Sequence, residues 1–364
     1  WAQAWVDAGR GGAANWMFAA NGRFAYAADY AEPISVNSAP GRFQAEQFGR
    51  VRDHCQAVVI EAGRPLFGRL FGYAAAREAL ALETAGLAVA ALWHGSDIRL
   101  PSHHIARHPL SPYALPELRA RAGELESNAR RNRRAMGALG LAQLVSTPDL
   151  LDQVEGAIWC PVVVAQALIQ AGAGAPPAAP PAPGAGVDVA LAAPLGDAAA
   201  APPAPVLAGP RPRVVHVPSN PLLKGSDLVD PILQRLAGEG RIDYIRAEGL
   251  TSAEVCRLYG EADIVADQFR MGIYGVAAVE AMALGRLVIS DVDTSVQEAV
   301  LDQTGLALPI AKAGAAGLAA ELDRIIADPD PYRRLAAQGP PFVAAVHSGA
   351  RSAAALAQAL GLGN

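Results

Sequence analysis

Short continuous apolar runs alternate along the chain with longer stretches of helical periodicity. In the first part, apolar runs cover residues 57–61 (AVVIE) and 87–93 (LAVAALW), and a helix-like stretch near 73–85 separates them. A continuous apolar run of this length is typical of a strand that is buried on both faces of a parallel sheet. The pattern therefore predicts a strand–helix–strand unit, followed by a helix over 115–139 and a strand over 142–145.

The same alternation returns in the second part of the chain. We predict strands over 213–217, 242–246, 264–266 and 287–290, and helices near 228–237, 252–259, 275–283 and 318–327. Strictly alternating strands and helices form open, doubly wound parallel sheets, which bind ligands at the carboxyl ends of their strands. We therefore expect an α/β protein with two Rossmann-like domains and a site in the cleft between them.

One segment interrupts this alternation, because residues 170–212 are almost entirely Ala, Pro and Gly. Such a segment cannot bury enough side-chain surface to offset its ordering entropy. The 364 residues also suit two domains with connections better than one core. We predict an N-terminal domain over 1–164, a linker or insertion over 165–212, a C-terminal domain over 213–340, and a helix in 341–364 that packs back on the N-terminal domain.

Composition excludes several classes of protein. The net charge of −5 and pI near 5.8 argue against a nucleic-acid-binding protein, which needs clustered positive charge. No apolar run has the length of a membrane span, so we expect a soluble, cytoplasmic protein without a signal peptide. Because no methionine precedes Trp1, we expect further residues upstream. Cys55, Cys160 and Cys256 lack the spacing of a disulfide framework or a zinc site.

The most informative stretch is ADIVADQFRMGIYGVAAVEAMALGRLVISD, residues 262–291. It predicts a strand, a loop from Gly272 to Gly275, a helix and a second strand. Glycines let the backbone approach a ligand closely, and the first turn of the helix offers unpaired N–H groups to a phosphate. Glu280 lies near the same helix end, where its carboxylate could accept hydrogen bonds from two ribose hydroxyls. The alternative is that Glu280 caps the helix and the glycines only form the turn.

This stretch, with EAMALG before a buried strand, resembles the donor-binding domain of GT-B glycosyltransferases of the large retaining, family-four-like group. The similarity extends to residues 214–233 (VVHVPSNPLLKGSDLVDPIL), 248–265 (EGLTSAEVCRLYGEADIV), 92–99 (LWHGSDIR) and 144–151 (LVSTPDLL). The resemblance implies a GT-B fold and retaining transfer of a sugar from a nucleotide-diphosphate donor to a hydroxyl acceptor. The donor is then a substrate, and neither a cofactor nor an essential metal is expected.

The resemblance also implies roles for individual residues. Lys224 would meet the donor diphosphate, while Ser219 and Asn220 stand where many relatives have an arginine and offer hydrogen bonds without charge. Glu280 would bind the ribose as the second acidic residue of an E-x7-E pattern, but the first acidic position holds Gly272. In the family that first carboxylate lies beside the donor sugar, so the resemblance defines the sugar and the catalytic competence less well than the fold. The implied donor-binding set is Ser219, Asn220, Lys224, Gly272, Ile273, Tyr274, Gly275 and Glu280.

His94 and Asp97 are the candidate catalytic residues, because they follow the carboxyl end of an apolar strand. His94 could bind a sugar hydroxyl, and Asp97 could orient it or accept a proton. In the alternative, the backbone satisfies His94 and Asp97 caps a turn. His103, His104 and His108 follow in a proline-punctuated loop, but no carboxylate or cysteine stands at ligand spacing, so we predict no metal site.

A basic stretch lies within this otherwise acidic chain. A basic helix can dock on anionic lipid, which would give weak peripheral membrane contact. Few large apolar residues accompany the arginines, so a solvated helix face is the favoured interpretation. The arginines of this stretch are Arg99, Arg107, Arg119, Arg121, Arg130, Arg131, Arg133 and Arg134.

Two other classes of function stay open at this point. A different GT-B enzyme, such as a nucleotide-sugar epimerase or hydrolase, would use the same diphosphate site without an acceptor pocket. A non-catalytic nucleotide-sugar binding protein would bind the donor without turnover. The sequence does not identify the base, the sugar or the acceptor.

Overall fold

The structure is a computed structural model that describes residues 1–18, 29–32, 39–172 and 205–363. The N-terminal half contains, in order, α1 (Ala2–Asp7), β1 (Trp16–Phe18), β2 (Tyr30–Glu32), α2 (Gly41–His54), β3 (Ala57–Glu61), α3 (Ala75–Thr84), β4 (Ala88–Trp93), α4 (Pro101–Arg107), α5 (Arg119–Gly137), β5 (Ala142–Val145), β6 (Ile158–Trp159) and α6 (Gln166–Gly172).

The C-terminal half contains β7 (Arg213–His216), α7 (Pro221–Lys224), α8 (Ser226–Gly238), β8 (Asp243–Arg246), α9 (Ser252–Glu261), β9 (Ile264–Ala266), α10 (Val276–Ala283), β10 (Leu287–Ser290), α11 (Thr294–Thr304), β11 (Ala311–Lys312), α12 (Leu318–Ala327), α13 (Asp330–Ala337), α14 (Gly339–Val346) and α15 (Ala350–Leu360).

The N-terminal half is built on a parallel sheet of order β3-β4-β5-β6. Along β4, Val89, Ala91 and Trp93 face one hydrophobic cluster, while Ala90 and Leu92 face a second cluster that includes side chains of α15. This alternation follows from the two-residue period of a strand. It explains why β4 reads as an unbroken apolar run, since both of its faces are covered.

The C-terminal half has a five-stranded parallel sheet of order β11-β10-β9-β7-β8. Its central strands are also covered on both faces, so that Val265 and Val288 belong to one core cluster and Ile264 and Leu287 to another. The strands β7 and β9 are neighbours, and α7 follows β7 whereas α10 follows β9. The topology therefore brings the loops after β7 and β9 to the same edge of the sheet.

The predicted strands over 57–61, 142–145, 264–266 and 287–290 have the bounds found in the structure. The helix predicted over 115–139 is wrong at its start, because α5 begins only at Arg119. Leu115 is extended before Pro116, as expected for a residue that precedes proline, and a short 3-10 turn over Pro116–Leu118 takes the place of the predicted helical turn. The short strands β6 and β11 and several helices, among them α2, α11 and α13, were not predicted.

Two segments pass between the halves. After β6 the chain crosses to the C-terminal half, where Leu168 and Ile169 of α6 join the core around α10 and α14. At the other end of the chain, α15 returns to pack on β4, β5 and β6. The Ser352 hydroxyl donates to the Pro161 carbonyl oxygen at 2.7 Å where these two segments meet.

The predicted linker is ordered at both described ends. Besides α6, the side chain of Leu207 is buried in the C-terminal core, and its N–H donates to Asp263 Oδ1 at 2.5 Å. The large apolar side chains at these ends, Leu168 and Ile169 on α6 and Leu207 before β7, bury surface that Ala, Pro and Gly cannot. Residues 173–204 lie outside the described residues, and for them the linker stays a prediction.

None of the described helices is both long enough and apolar enough to cross a membrane. The three cysteines, Cys55, Cys160 and Cys256, are free thiols.

Candidate functional site

The candidate donor site lies where β7 and β9 end. After β7, Asn220 caps the short helix α7 by accepting the Leu223 N–H at 3.2 Å. Lys224 is the last residue of α7, and Gly225 turns the chain into α8 with a left-handed φ of 77°. The Lys224 carbonyl oxygen accepts the Phe269 N–H at 3.0 Å, which ties α7 to the loop after β9. The cap, the glycine turn and this bond together place the Lys224 side chain over β9.

Asp267, the first residue after β9, is the centre of the site. Its Oδ1 pairs with the Lys224 ammonium, and its Oδ2 accepts the Gly275 N–H at 3.4 Å. Both side chains are largely buried, with 11% of Lys224 and 1% of Asp267 exposed. A carboxylate therefore already lies at the N-terminus of α10, where a helix stabilises negative charge.

Glu280 lies in the second turn of α10 and shares this environment. Burial raises the pKa of Glu280 to about 7, the Lys224 ammonium opposes this rise, and the Asp267 carboxylate adds to it. The predicted residues Lys224, Gly275 and Glu280 are thus gathered around Asp267. A buried carboxylate with a raised pKa, in a helix that follows the carboxyl end of a strand, is typical of a functional position.

Because its pKa is raised in the folded protein, the ionised carboxylate of Glu280 is expected to lower the free energy of unfolding at neutral pH. Below its ordinary pKa of 4.5 the carboxyl is protonated in both states, and between 4.5 and about 7 the unfolded chain ionises first. The cost therefore grows as the pH rises through this window and reaches up to ~3 kcal/mol above it. Glu280→Gln is expected to be more stable than the wild type at pH 8 and equal to it near pH 4, as measured by urea unfolding.

The matched control is Glu298→Gln, because Glu298 lies on the surface of α11. That variant is expected to follow the wild type at both pH values. A difference between Glu280→Gln and the wild type that does not change with pH would contradict the prediction.

The other implied donor-binding residues contribute in different ways. Ser219 and Asn220 are exposed at the mouth of the site, although Asn220 already uses its side chain as a helix cap. Tyr274 points into the core, where its hydroxyl lies 3.4 Å from His347 Nε2. Ile273 packs with the apolar cluster around Met271. Of Ile273 and Tyr274, only the backbone can therefore face a ligand at this loop.

His94 lies at the end of β4, on the face that carries Ala90 and Leu92. Its Nε2 is 3.3 Å from Glu61 Oε2 at the end of β3, and its ring stacks on Trp1 with centroids 5.2 Å apart. Although burial alone would raise the pKa of Glu61, the hydrogen bond and charge of His94 lower it. No hydrogen bond or ion pair among the described residues joins His94 to Lys224 or to Asp267.

Asp97 caps a turn, which is the alternative role that the sequence left open for it. Its carboxylate accepts the backbone N–H of His94 at 3.0 Å and that of Gly95 at 2.7 Å. The expectation that Asp97 orients the His94 side chain is corrected, since Glu61 is the carboxylate that contacts the imidazole. These hydrogen bonds hold the loop after β4, and a catalytic role for Asp97 stays a prediction.

Gly272 lies at the contact between the two halves. Its φ is 66°, and a Cβ atom there would come within 2.6 Å of both Asp293 Oδ2 and His108 Cε1. His108 Nε2 and Asp293 Oδ2 are 3.1 Å apart. A carboxylate–imidazole pair therefore fills the space beside Gly272 that a larger side chain would need.

The other two histidines of the stretch predicted as a loop, His103 and His104, lie in α4 instead, and both are held by neighbouring groups. His104 lies between Ser111 Oγ at 2.7 Å and the Met271 carbonyl oxygen at 3.3 Å, and it stacks on His108. Burial, His108 and Arg99 lower the pKa of His104 to about 3, so His104 is neutral. His103 contacts Gln153. Within the described ranges, no group of three or more His, Cys, Asp or Glu side chains is placed to hold a metal ion.

Fewer arginines of the basic stretch can contact anionic lipid than its composition indicates. Arg99 is buried and donates to Asp149 Oδ2 through Nε at 2.9 Å and Nη2 at 2.6 Å. Arg133 donates to the Ile98 carbonyl oxygen. Arg107 and Arg130 form ion pairs with nearby carboxylates at the surface. Contact of the remaining arginines with anionic lipid stays a prediction.

Three carboxylates of these sites, those of Glu61, Asp267 and Asp293, were missed in the sequence. Glu61 ends β3, Asp267 directly follows β9, and Asp293 is the third residue after β10. All three stand at carboxyl ends of parallel strands, where open α/β sheets bind ligands. That rule applied to every predicted strand, rather than to the glycine loop and β4 alone, would have found them.

Two parallel sheets with flanking helices and a site at their strand ends define the GT-B fold, as the sequence predicted. Among solved structures, a glycosyltransferase from Rickettsia africae is 11% identical with a TM-score of 0.50, covering 92% of this chain and 86% of that one. HepE from Anabaena in complex with UDP-glucose is 12% identical, with the same TM-score and coverage. At this identity the likeness shows the fold alone. No protein-family model and no curated protein matches the sequence.

Proposed function

We propose that this protein is a glycosyltransferase that moves a sugar from a nucleotide-diphosphate donor to a hydroxyl acceptor. One observation carries the proposal. Lys224 and the Gly275 N–H both contact Asp267 at the carboxyl ends of β7 and β9, and the charges of Lys224 and Asp267 act on the buried carboxyl group of Glu280. In a GT-B fold this point faces the cleft between the halves, and the arrangement suits a nucleoside diphosphate.

The diphosphate would bind to Lys224 and to the first turn of α10. An ammonium group has three N–H donors, and Asp267 uses one of them, which leaves two for phosphate oxygens. Asp267 keeps Lys224 extended toward α10 and satisfies the helix N-terminus until the ligand arrives. The ligand must then share the ammonium with Asp267 or displace its contact to Gly275.

The ribose would bind to Glu280. In its ionised form this carboxylate accepts hydrogen bonds from two neighbouring hydroxyls. Burial raises the pKa of this carboxyl group, and its ionised form lowers the free energy of unfolding. Such a cost is typical of a functional site, because functional sites often trade stability for activity. This supports a binding role for Glu280 over that of a helix cap, since the N-cap position of α10 is Gly275.

We further propose transfer with retention, assisted by the donor itself. The bond between the sugar carbon and the phosphate oxygen breaks, the acceptor oxygen forms the new bond, and its proton passes to the departing diphosphate oxygen. The protein then supplies positioning and charge stabilisation through Lys224 and α10. That Asp97 is committed to backbone amides agrees with a mechanism without a strong protein base. His94, supported by Glu61, would contact a sugar hydroxyl or the acceptor.

The test is incubation with a panel of UDP- and GDP-sugars and hydroxyl acceptors, followed by product analysis, with melting temperature recorded for each donor. We expect at least one donor to raise the melting temperature by mass action and to give a glycosylated product without added magnesium.

Other outcomes identify the alternatives. A donor that is epimerised or hydrolysed without an acceptor would indicate a different GT-B enzyme. A donor that binds without turnover would indicate a binding protein. If no nucleoside diphosphate or nucleotide sugar binds at millimolar concentration, the site assignment fails and the resemblance is one of fold alone.

A further inference from the structure

The loop before α10 joins the diphosphate site to a second polar group. Gly272 and Gly275 are three residues apart, a span of at most ~11 Å. The Gly275 N–H belongs to the diphosphate site, while Gly272 lies against Asp293 and His108. The Asp293 N–H donates to the Gly272 carbonyl oxygen at 2.9 Å, which fixes the start of α11 to this loop.

The Asp293 carboxylate is available to a ligand on one side. Asp293 precedes α11, but its side chain makes no capping hydrogen bond to that helix. Oδ2 faces His108, and Oδ1 has no hydrogen-bond partner in the described part of the chain. The side chain is 37% exposed, whereas that of His108 is 17% exposed. A partly exposed carboxylate with one free oxygen can accept hydrogen bonds from hydroxyl groups.

His108 is the partner that holds this carboxylate in place. It comes from the loop after α4 in the N-terminal half and stacks on His104 with ring centroids 4.1 Å apart. Because His104 is engaged by Ser111 and by the Met271 carbonyl oxygen, the stack fixes the His108 ring in turn. The pair therefore joins the two halves beside the loop from Gly272 to Gly275.

The order of groups along the site indicates what Asp293 would meet. Glu280 lies five residues beyond Gly275, or ~7 Å along α10, on the side proposed for the ribose. Asp293 contacts Gly272, which precedes Gly275 in the chain, whereas Glu280 follows Gly275. In a nucleotide sugar, the diphosphate separates the ribose from the transferred sugar. The group that extends from the diphosphate toward Asp293 is then the polyhydroxylated sugar.

We propose that Asp293, held by His108, binds hydroxyl groups of the sugar carried by the donor and so determines which sugar is accepted. This inference rests on the proposed function, because it takes the diphosphate to bind at Lys224 and Gly275. It assigns the sugar side of the site to a residue from the loop after β10, in place of a side chain at position 272.

The experiment compares a nucleoside diphosphate with its sugar ester by calorimetry on the full chain, using UDP with UDP-glucose and GDP with GDP-mannose. Asp293→Asn keeps the shape of the side chain and removes its charge. We expect this variant to bind the nucleoside diphosphate within twofold of the wild type and the sugar nucleotide about tenfold more weakly. His108→Gln leaves the carboxylate in place and removes its partner, and we expect a smaller loss of about threefold for the sugar nucleotide alone.

Asp291→Asn is the matched control, since it makes the same change two residues earlier in the same loop. It is expected to leave the ratio of the two affinities unchanged. Equal weakening of both ligands by Asp293→Asn would show that the pair only joins the two halves, and unchanged binding of both would also overturn the inference. If the wild type binds no nucleoside diphosphate, the proposed function fails and this inference fails with it.

Discussion

Lys224→Ala is expected to weaken the binding of UDP or GDP by about hundredfold and to lower the free energy of unfolding by about 3–5 kcal/mol. The loss of binding follows from the removal of a charge-assisted contact, worth about 1.5–3 kcal/mol. The loss of stability follows from Asp267, whose side chain is 1% exposed and would be left without its cation. That unpaired carboxylate also repels the diphosphate. Calorimetry measures the binding, and urea unfolding measures the stability.

The double variant Lys224→Ala with Asp267→Asn separates these two effects. Because it removes the buried charge, it is expected to regain most of the lost stability without regaining nucleotide binding. Lys312→Ala is the matched control, since Lys312 is the only other lysine of the chain and is exposed. It is expected to bind nucleotide as the wild type does.

Inorganic pyrophosphate gives a further comparison. Lys224→Ala is expected to lose affinity for pyrophosphate as well as for UDP, whereas Glu280→Ala is expected to lose affinity for UDP and keep pyrophosphate. Nucleotide binding by Lys224→Ala at the wild-type level, in a protein that folds, would remove Lys224 from the site.

Gly272→Ala is expected to lower the free energy of unfolding by about 2–5 kcal/mol. A side chain at a left-handed φ costs about 1–2 kcal/mol, and forcing atoms into a filled space costs about 1–3 kcal/mol more. Here φ is 66°, and the new methyl group would lie 2.6 Å from both Asp293 Oδ2 and His108 Cε1. Equilibrium unfolding in urea measures the change.

Gly249→Ala separates the backbone term from the steric term. Gly249 has a similar φ of 72°, but a Cβ atom there meets nothing within 4 Å. It is expected to cost only about 1–2 kcal/mol. If the two alanine variants lose the same stability, then Asp293 and His108 do not fill the space beside Gly272 as the structure has it.

Much of the fold was predictable from the sequence, because parallel strands that are covered on both faces leave a local signal. The runs that became β3, β5, β9 and β10 were found with their bounds. Helix α13 was not predicted, and the single helix predicted within 341–364 is two helices in the structure, α14, which packs on α10, and α15, which packs on the N-terminal sheet. The start of α5 was predicted four residues too early, because Pro116 holds Leu115 in an extended conformation.

The sequence by itself determined the alternation of strands and helices, the two sheets, and the local group of Gly275 and Glu280, because these depend on residues close together in the chain. Only the tertiary structure decided which carboxylates meet which cations. Lys224 reaches Asp267 across 43 positions, His94 reaches Glu61 across 33, and His108 reaches Asp293 from the other half of the molecule. Such pairs are set by the order of strands in a sheet and by the docking of two halves, and neither leaves a periodic pattern in the sequence.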